Sequence, residues 1–302
     1  MMRLSLNIAE MDENPYSMNH GPLPVTVYSP ESSIRRPGNM IRKMFSDLWR
    51  GRELAWQLAL RDIRAQYRQT ALGLLWAFIL PLAHTLTWIF LSGSGIVGIK
   101  STGMPYPIYV FTGTIVWAIF MDAVNAPLNQ TITAKPMLAK INFPREALVV
   151  SGIFQVMFNS AIKLALLLSA LMIMGLFPDW HILLFSLGVL SLIAAGTAIG
   201  LLITPVGVLY SDIGKSLPLL MQFWMYLTPV VFPMPKGGLA ATIFNLNPLT
   251  PLIMTCRNWL IGSPSETMAY FIMVNAAVII LLFVVWIVYR AAMPILIERM
   301  SA

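Results

Sequence analysis

Residues 182–206 read ILLFSLGVLSLIAAGTAIGLLITPV and contain no charged side chain. A helix of about 20 apolar residues spans the hydrocarbon core of a bilayer, so this stretch predicts a transmembrane helix. Within it, Gly196 and Gly200 have the spacing of small residues that lets two helices approach closely. We expect this face to pack against another helix of the same chain, with contact between two subunits as the alternative.

The composition of the whole chain extends this interpretation. Of its 302 residues, 57% are hydrophobic and only 11% are charged. Soluble domains carry about 25% charged residues, so the bilayer is the expected solvent for this chain. The single cysteine, Cys256, excludes an intramolecular disulfide and is expected to be a small buried side chain. The predicted fold class is an all-α integral membrane protein.

Six transmembrane helices are predicted from the apolar segments. A further segment, residues 236–265, is apolar but interrupted by glycine, proline and asparagine, and it predicts short re-entrant helices on the outer side. We therefore expect one transmembrane domain over residues 71–290, followed by a cytoplasmic tail at 291–302. The six spans are placed at about 72–94, 107–130, 147–174, 182–206, 217–235 and 267–289.

The N-terminal part of the chain differs from the rest. Residues 1–48 are polar and rich in proline, which predicts a flexible cytoplasmic extension. Residues 49–70 predict an amphipathic helix lying at the membrane interface, because an apolar and aromatic stripe runs beside an arginine stripe. A surface helix packed on a soluble domain is the alternative. The apolar stripe is Trp56, Leu60, Ile63 and Tyr67, and the side chains expected to contact lipid or phosphate are Arg61, Arg64, Tyr67 and Arg68.

The placement of cations predicts the orientation. With the N-terminus inside, 16 of the 20 Lys and Arg residues fall in cytoplasmic segments and three fall outside. The same bias persists when residues 1–48 are left out. Cytoplasmic loops carry an excess of Lys and Arg, so both termini are expected in the cytoplasm.

Several motifs resemble known binding sites, but the surrounding sequence does not support that function. Residues 93–98 fit G-x-G-x-x-G but end a membrane span instead of following a strand in a nucleotide-binding domain. Gly214-Lys215-Ser216 lacks the earlier glycine of a phosphate-binding loop. The three histidines, His20, His84 and His181, are too far apart in the sequence to support a metal site.

Two charged residues lie within predicted spans, Asp122 in the second and Lys163 in the third. Charges inside a membrane are costly and are functional candidates by default. We hypothesise that they pair or that both face a water-filled path, and local snorkelling of each is the alternative. Aromatic side chains in the spans are explained by lipid packing and interfacial anchoring, although some suit a sugar path because aromatic faces stack on the C–H faces of sugars.

A resemblance to a known family adds to this interpretation. The run RDIRAQYRQTALGLLW at 61–76, reaching Pro81, resembles the entry motif of type-2 ABC transporter permeases, and most closely that of the bacterial branch that exports cell-surface polysaccharides. The resemblance covers roughly residues 49–290. The other matching segments follow in the expected order: Pro105-Tyr106-Pro107 with Gly113 and Trp117, KINFPRE at 140–146, YSDI at 210–213 with Pro229, and NPLTP at 247–251 with Arg257.

The resemblance implies partners and site residues. A second copy of the chain would complete the pathway, and two copies of a separate ABC ATPase would bind ATP and magnesium, with no cofactor or metal in this chain. Residues 134–146 would form the coupling segment, and residues 236–265 would gate the exit. The coupling residues implied are Lys140, Asn142, Phe143, Pro144, Arg145 and Glu146. Arg257 is the outer gate candidate, where it would meet a phosphate or a sugar hydroxyl, or would neutralise a helix C-terminus.

The function implied is the permease subunit of an ATP-driven exporter in the bacterial inner membrane. The expected cargo is a lipid-linked polysaccharide resembling O antigen. Membrane lipid is a further expected partner, and no nucleic acid is expected to bind. The same architecture carrying a capsular polysaccharide, a teichoic acid or a small hydrophobic compound is one alternative. A membrane-embedded transferase acting on lipid-linked sugar is another, but it would need clustered acidic or histidine side chains, and Asp122 is the only acidic residue within a predicted span.

Overall fold

A computed structural model describes residues 37–68, 75–96, 102–138, 143–176, 179–265 and 267–301. Over this part of the chain the regular secondary structure is helical, with no strand, so the predicted all-α class is confirmed there. The helices are α1 (Pro37–Arg68), α2 (Trp76–Gly93), α3 (Tyr106–Thr133), α4 (Lys135–Leu138), α5 (Glu146–Ile173), α6 (Ile182–Leu209), α7 (Ser211–Tyr226), α8 (Gly238–Leu246), α9 (Leu249–Leu260) and α10 (Met268–Ser301).

Four of the described helices, α3, α5, α6 and α10, are long and apolar enough to cross a membrane. They correspond to the predicted second, third, fourth and sixth spans. The first predicted span corresponds to α2, a shorter apolar helix that contains Pro81. In the segment 236–265, α8 and α9 meet at an angle of 86°, which fits either a broken span or a re-entrant loop. The chain is therefore a multi-pass membrane protein, with four or five candidate spans among the described residues.

The fifth predicted span, at 217–235, extends beyond the end of the helix that the structure has there. The helix α7 has 16 residues and ends at Tyr226, and residues 227–237 follow as turns and irregular backbone. Pro229, Pro233 and Pro235 lie in this segment. Proline lacks the N–H that a helix needs, so the helix stops although the composition stays apolar.

The N-terminal helix α1 also differs from its prediction. It begins at Pro37, inside the segment expected to be flexible, and a proline at the first helical position is well tolerated. Its buried face consists of Met44, Gly51, Ala55, Leu58 and Ala59, whereas Trp56 of the predicted apolar stripe is 52% exposed. The side chain of Tyr67 lies outside the described residues, as do residues 1–36 of the extension predicted at 1–48.

The centre of the fold is the packing of α6 against α3. A Cβ atom at Gly200 would lie 2.3 Å from the Val124 carbonyl oxygen, and one at Gly196 would lie 2.7 Å from the Ala123 Cβ. The small-residue face of α6 therefore packs within the chain, as expected. On the side of α9, a Cβ at Gly188 would lie 2.4 Å from the Cys256 sulfur, so Cys256 is the small buried side chain that was predicted.

A second apolar cluster joins α1, α4, α5, α6 and α10. Tyr289 is at its centre, and its hydroxyl lies 3.4 Å from that of Thr131 on α3. Phe143 packs against the edge of this cluster. The cluster therefore connects the segment before α5 to α10. Its buried members are Leu58, Ala134, Leu138, Leu148, Leu201, Val285, Tyr289, Met293 and Leu296.

Candidate functional site

A cavity of about 720 Å³ lies between α2, α3, α5 and α7, next to the C-terminal end of α1. The hydroxyls of Thr85 and Thr114, 3.3 Å apart, connect α2 to α3 at its wall. The lining mixes aromatic, aliphatic and polar side chains, which suits a ligand with both C–H and O–H surfaces. Its aromatic and polar members are Gln66, Trp76, His84, Thr114, Trp117, Asp122, Asn159, Lys163 and Gln222.

The two charged residues predicted within spans meet in this cavity. The Lys163 ammonium donates to Asp122 Oδ2 at 2.6 Å and to the Ala118 carbonyl oxygen at 3.4 Å. The Lys163 side chain is 10% exposed and that of Asp122 is 32% exposed. The hypothesised pair is thus formed, and the carboxylate is the more accessible partner in the cavity.

A chain of three glutamines runs beside the cavity. Gln66 on α1 accepts a hydrogen bond from Gln155 on α5 at 3.3 Å, and Gln155 in turn accepts one from Gln130 on α3 at 2.8 Å. Amide groups both donate and accept, so this chain links three helices without introducing charge.

The segment predicted to couple to a partner lies against α1. Gly51 faces Pro144 and Ala147, because a Cβ at Gly51 would lie 3.6 Å and 3.3 Å from their Cβ atoms. Lys140 and Asn142 lie outside the described residues. Of the described coupling candidates, Phe143, Pro144 and Arg145 are partly exposed, whereas Glu146 is buried.

Glu146 belongs to an ion cluster that the sequence interpretation did not anticipate. Arg290 on α10 pairs with the Glu146 carboxylate and also with Asp47 on α1, at 2.6 Å from Asp47 Oδ2. Desolvation lowers the pKa of the neighbouring Arg145, and the adjacent Glu146 carboxylate partly offsets this. Arg290 therefore connects α10 to both α1 and α5, and Glu146 does not present its carboxylate on the surface. In the sequence, the only indication of this cluster is that Glu146 and Arg290 are charged residues at the edges of predicted spans. They are 144 positions apart.

The arginines predicted to contact lipid or phosphate are exposed. Arg61 pairs with Asp62 on the same helix at 2.8 Å, and Arg64 and Arg68 also lie on the surface of α1. An exposed pair of this kind contributes little to stability. The three cations are thus accessible, and their contact with lipid stays a prediction.

Arg257 is buried, which differs from its expected position at the outer surface. Its guanidinium donates to the carbonyl oxygens of Pro229, Val230 and Tyr109 at 2.9, 2.9 and 3.3 Å, and it lies 3.6 Å from the centre of the Tyr109 ring. Gly113 leaves the space, since a Cβ there would lie 2.5 Å from Arg257 Nη2. The two Nη groups that would meet a phosphate therefore bind backbone instead, although Arg257 also borders a cavity of about 410 Å³.

The residues described so far define the class of protein. They form a multi-pass helical membrane protein with a cavity between its helices, and over the described residues no group of His, Cys, Asp or Glu is arranged to hold a metal ion. A family model described as ABC-2 type transporter matches residues 53–261. The chain belongs to this family.

Named relatives agree with this assignment. The chain is 27% identical over 217 residues to the O-antigen export system permease protein RfbA of Myxococcus xanthus, covering 71% of this chain and 82% of that protein. It is 20% identical over 206 residues to the RfbA of Klebsiella pneumoniae, covering 66% and 76%. It is 28% identical over 185 residues to the polysialic acid transport protein KpsM of Escherichia coli, covering 59% and 69%.

Proposed function

We propose that this chain is the permease subunit of an ATP-driven exporter of a lipid-linked cell-surface polysaccharide. The observation that carries the proposal is the cavity between α2, α3, α5 and α7, whose aromatic and amide lining suits sugars. The names of relatives from three organisms support the same cargo class.

The proposed architecture lies in the bacterial inner membrane, with both termini in the cytoplasm. Its six spans are α2, α3, α5, α6, α7 and α10. At about 1.5 Å per residue, the 16 residues of α7 cover about 24 Å, so the irregular segment after Tyr226 completes the crossing. The helices α8 and α9 are then the re-entrant outer segment. Two copies of the chain form the pathway, and α1 lies at the membrane interface with its arginines towards lipid phosphate.

Energy enters from a partner in this proposal. Two copies of an ABC ATPase bind ATP and magnesium, and they contact residues 134–146 of each permease. Phe143, Pro144 and Arg145 offer an accessible surface, while Glu146 passes the motion to α10 through Arg290. The chain itself performs no bond chemistry. Among the described residues that line the cavity, Asp122 is the only acid and it is paired with Lys163, whereas a transferase would need clustered acidic or histidine side chains.

The proposal is tested in the native host. Deleting this chain should abolish polysaccharide at the cell surface, measured by lectin or antibody labelling of intact cells, while permeabilised cells still label. Unchanged surface labelling would contradict the proposal.

The coupling segment is tested separately on the purified complex. Pro144→Ala and Arg145→Gln should lower permease-stimulated ATP hydrolysis or co-purification of the ATPase by about tenfold. Lys236→Gln, at an exposed position before α8, is the matched control and should change neither quantity. Unchanged coupling in both segment variants would exclude this assignment.

A further inference from the structure

The charge balance of the cavity bears on which polysaccharides fit. Asp122 and Lys163 contribute one charge of each sign, and they contact each other at 2.6 Å. Among the described lining residues, His84 is the only other ionisable side chain. The cavity therefore offers no excess of positive charge to a polyanion.

The two side chains of the ion pair differ in how much of each is accessible. Lys163 is directed to Asp122 and to the Ala118 carbonyl, and only 10% of its side chain is accessible. Nearly a third of the Asp122 side chain is accessible. A ligand in the cavity therefore meets a carboxylate, which accepts hydrogen bonds from hydroxyl groups and repels other carboxylates.

The other lining groups fit the same chemistry. Gln222 is exposed on α7 and Gln66 lies near the end of α1, so amide groups line the same cavity as the carboxylate. Trp76, which is 47% exposed, offers an indole face to the C–H side of a sugar ring. These groups recognise hydroxyls and apolar ring faces without requiring charge on the ligand.

We infer that this cavity binds a neutral, hydroxyl-rich segment of the glycan and excludes polyanionic glycans, with Asp122 as the residue that selects between them. The inference rests on the proposed function and narrows its substrate class. It separates this chain from the relative named for polysialic acid, a polymer with a carboxylate on each sugar. Selectivity arises from repulsion of the wrong ligand as well as from contacts to the right one.

The test uses the full-length chain in lipid nanodiscs and equilibrium binding of labelled oligosaccharides. Neutral mannose oligomers are compared with sialic acid oligomers of equal length. We expect the neutral oligomer to bind at least about tenfold more tightly, since a hydrogen bond to a charged group contributes about 1.5 kcal/mol or more. Equal binding, tighter binding of the sialic acid oligomer, or no binding of either would overturn the inference.

Variants assign the selection to Asp122. Asp122→Asn leaves the Lys163 charge uncompensated and should shift the binding ratio towards the sialic acid oligomer by about tenfold. Asp179→Asn, an acid that is 69% exposed elsewhere, is the matched control. Should Asp122→Asn misfold, Gln222→Lys adds a cation at an exposed position of the cavity wall and should produce the same shift. An unchanged ratio in the folded variants would overturn the role of Asp122.

The result is distinguishable from failure of the proposed function. Loss of surface polysaccharide on deletion, together with a preference for the sialic acid oligomer, would overturn only this inference. Unchanged surface polysaccharide would contradict the proposed function whatever the binding ratio.

Discussion

Arg290 on α10 lies 2.6 Å from Asp47 on α1, although the two residues are 243 positions apart in the chain. The same guanidinium pairs with the buried carboxylate of Glu146 at the start of α5. One cation thus connects the N-terminal helix, the segment proposed to contact the ATPase, and the last helix.

Removal of this cation should leave a buried carboxylate without its partner. We expect Arg290→Gln to destabilise the protein by about 3 kcal/mol, the usual cost of breaking a buried pair. The measurement is thermal unfolding in detergent, with the exposed Arg299→Gln on the same helix as control. The double variant Arg290→Gln/Glu146→Gln should recover part of the loss, and a double variant no more stable than the single one would contradict this explanation.

The close approach of α6 to α3 makes a second prediction. A Cβ at Gly200 would lie 2.3 Å from a backbone oxygen, which cannot move away as a flexible side chain can. Gly200→Ala should therefore cost about 1–3 kcal/mol in the free energy of unfolding. Gly93→Ala is the matched control, because nothing lies within 4 Å of a Cβ there. Equal stability of the two variants would argue against direct contact between these helices.

Asn247 is the subject of a third prediction. Its amide nitrogen donates to the Leu227 carbonyl at 2.9 Å and to the Thr228 hydroxyl at 2.8 Å, and its oxygen accepts from Trp224 Nε1 and the Leu249 N–H. Asn247→Asp loses both donors and buries a charge, so it should cost about 2 kcal/mol.

Hydrogen exchange measures this effect at the segment that Asn247 binds. Backbone amides from 227 to 232 should exchange faster in Asn247→Asp than in the unmodified protein. The exposed neighbour Asn245→Asp provides the control with the same chemical change two residues away. If both variants exchange alike, the hydrogen bonds of Asn247 do not hold this segment.

Arg257 makes a fourth prediction about the same segment. Arg257→Lys keeps the charge but cannot reach three carbonyl oxygens with a planar fork, so we expect a loss of about 2 kcal/mol in unfolding free energy. The exposed Arg68→Lys is the control. Full stability of Arg257→Lys, with unchanged hydrogen exchange of the backbone amides at 230–232, would show that a positive charge alone is sufficient there.

Much of the architecture was predictable because its causes are local. Apolar length identified α3, α5, α6 and α10, and the spacing of Gly196 and Gly200 indicated a close helix contact. The prediction was wrong at 217–235, where the composition stays apolar but the helix ends at Tyr226, and Pro229, Pro233 and Pro235 lie in the irregular backbone that follows. It also placed the start of α1 twelve residues too late, because proline at a first helical position was taken as a breaker.

The length of the apolar segments and the distribution of Lys and Arg can be read from the sequence without knowing how the chain folds. They were enough to recognise a multi-pass membrane protein. The sequence suggested Asp122 and Lys163 as one possible pair, but it did not decide the partner of any charge, because partners depend on how the helices pack. Only the tertiary structure brought Lys163 to Asp122 across 41 positions, and Arg290 to Glu146 across 144. It also turned Arg257 inward, because the carbonyl groups freed where α7 ends need donors that the helix no longer supplies.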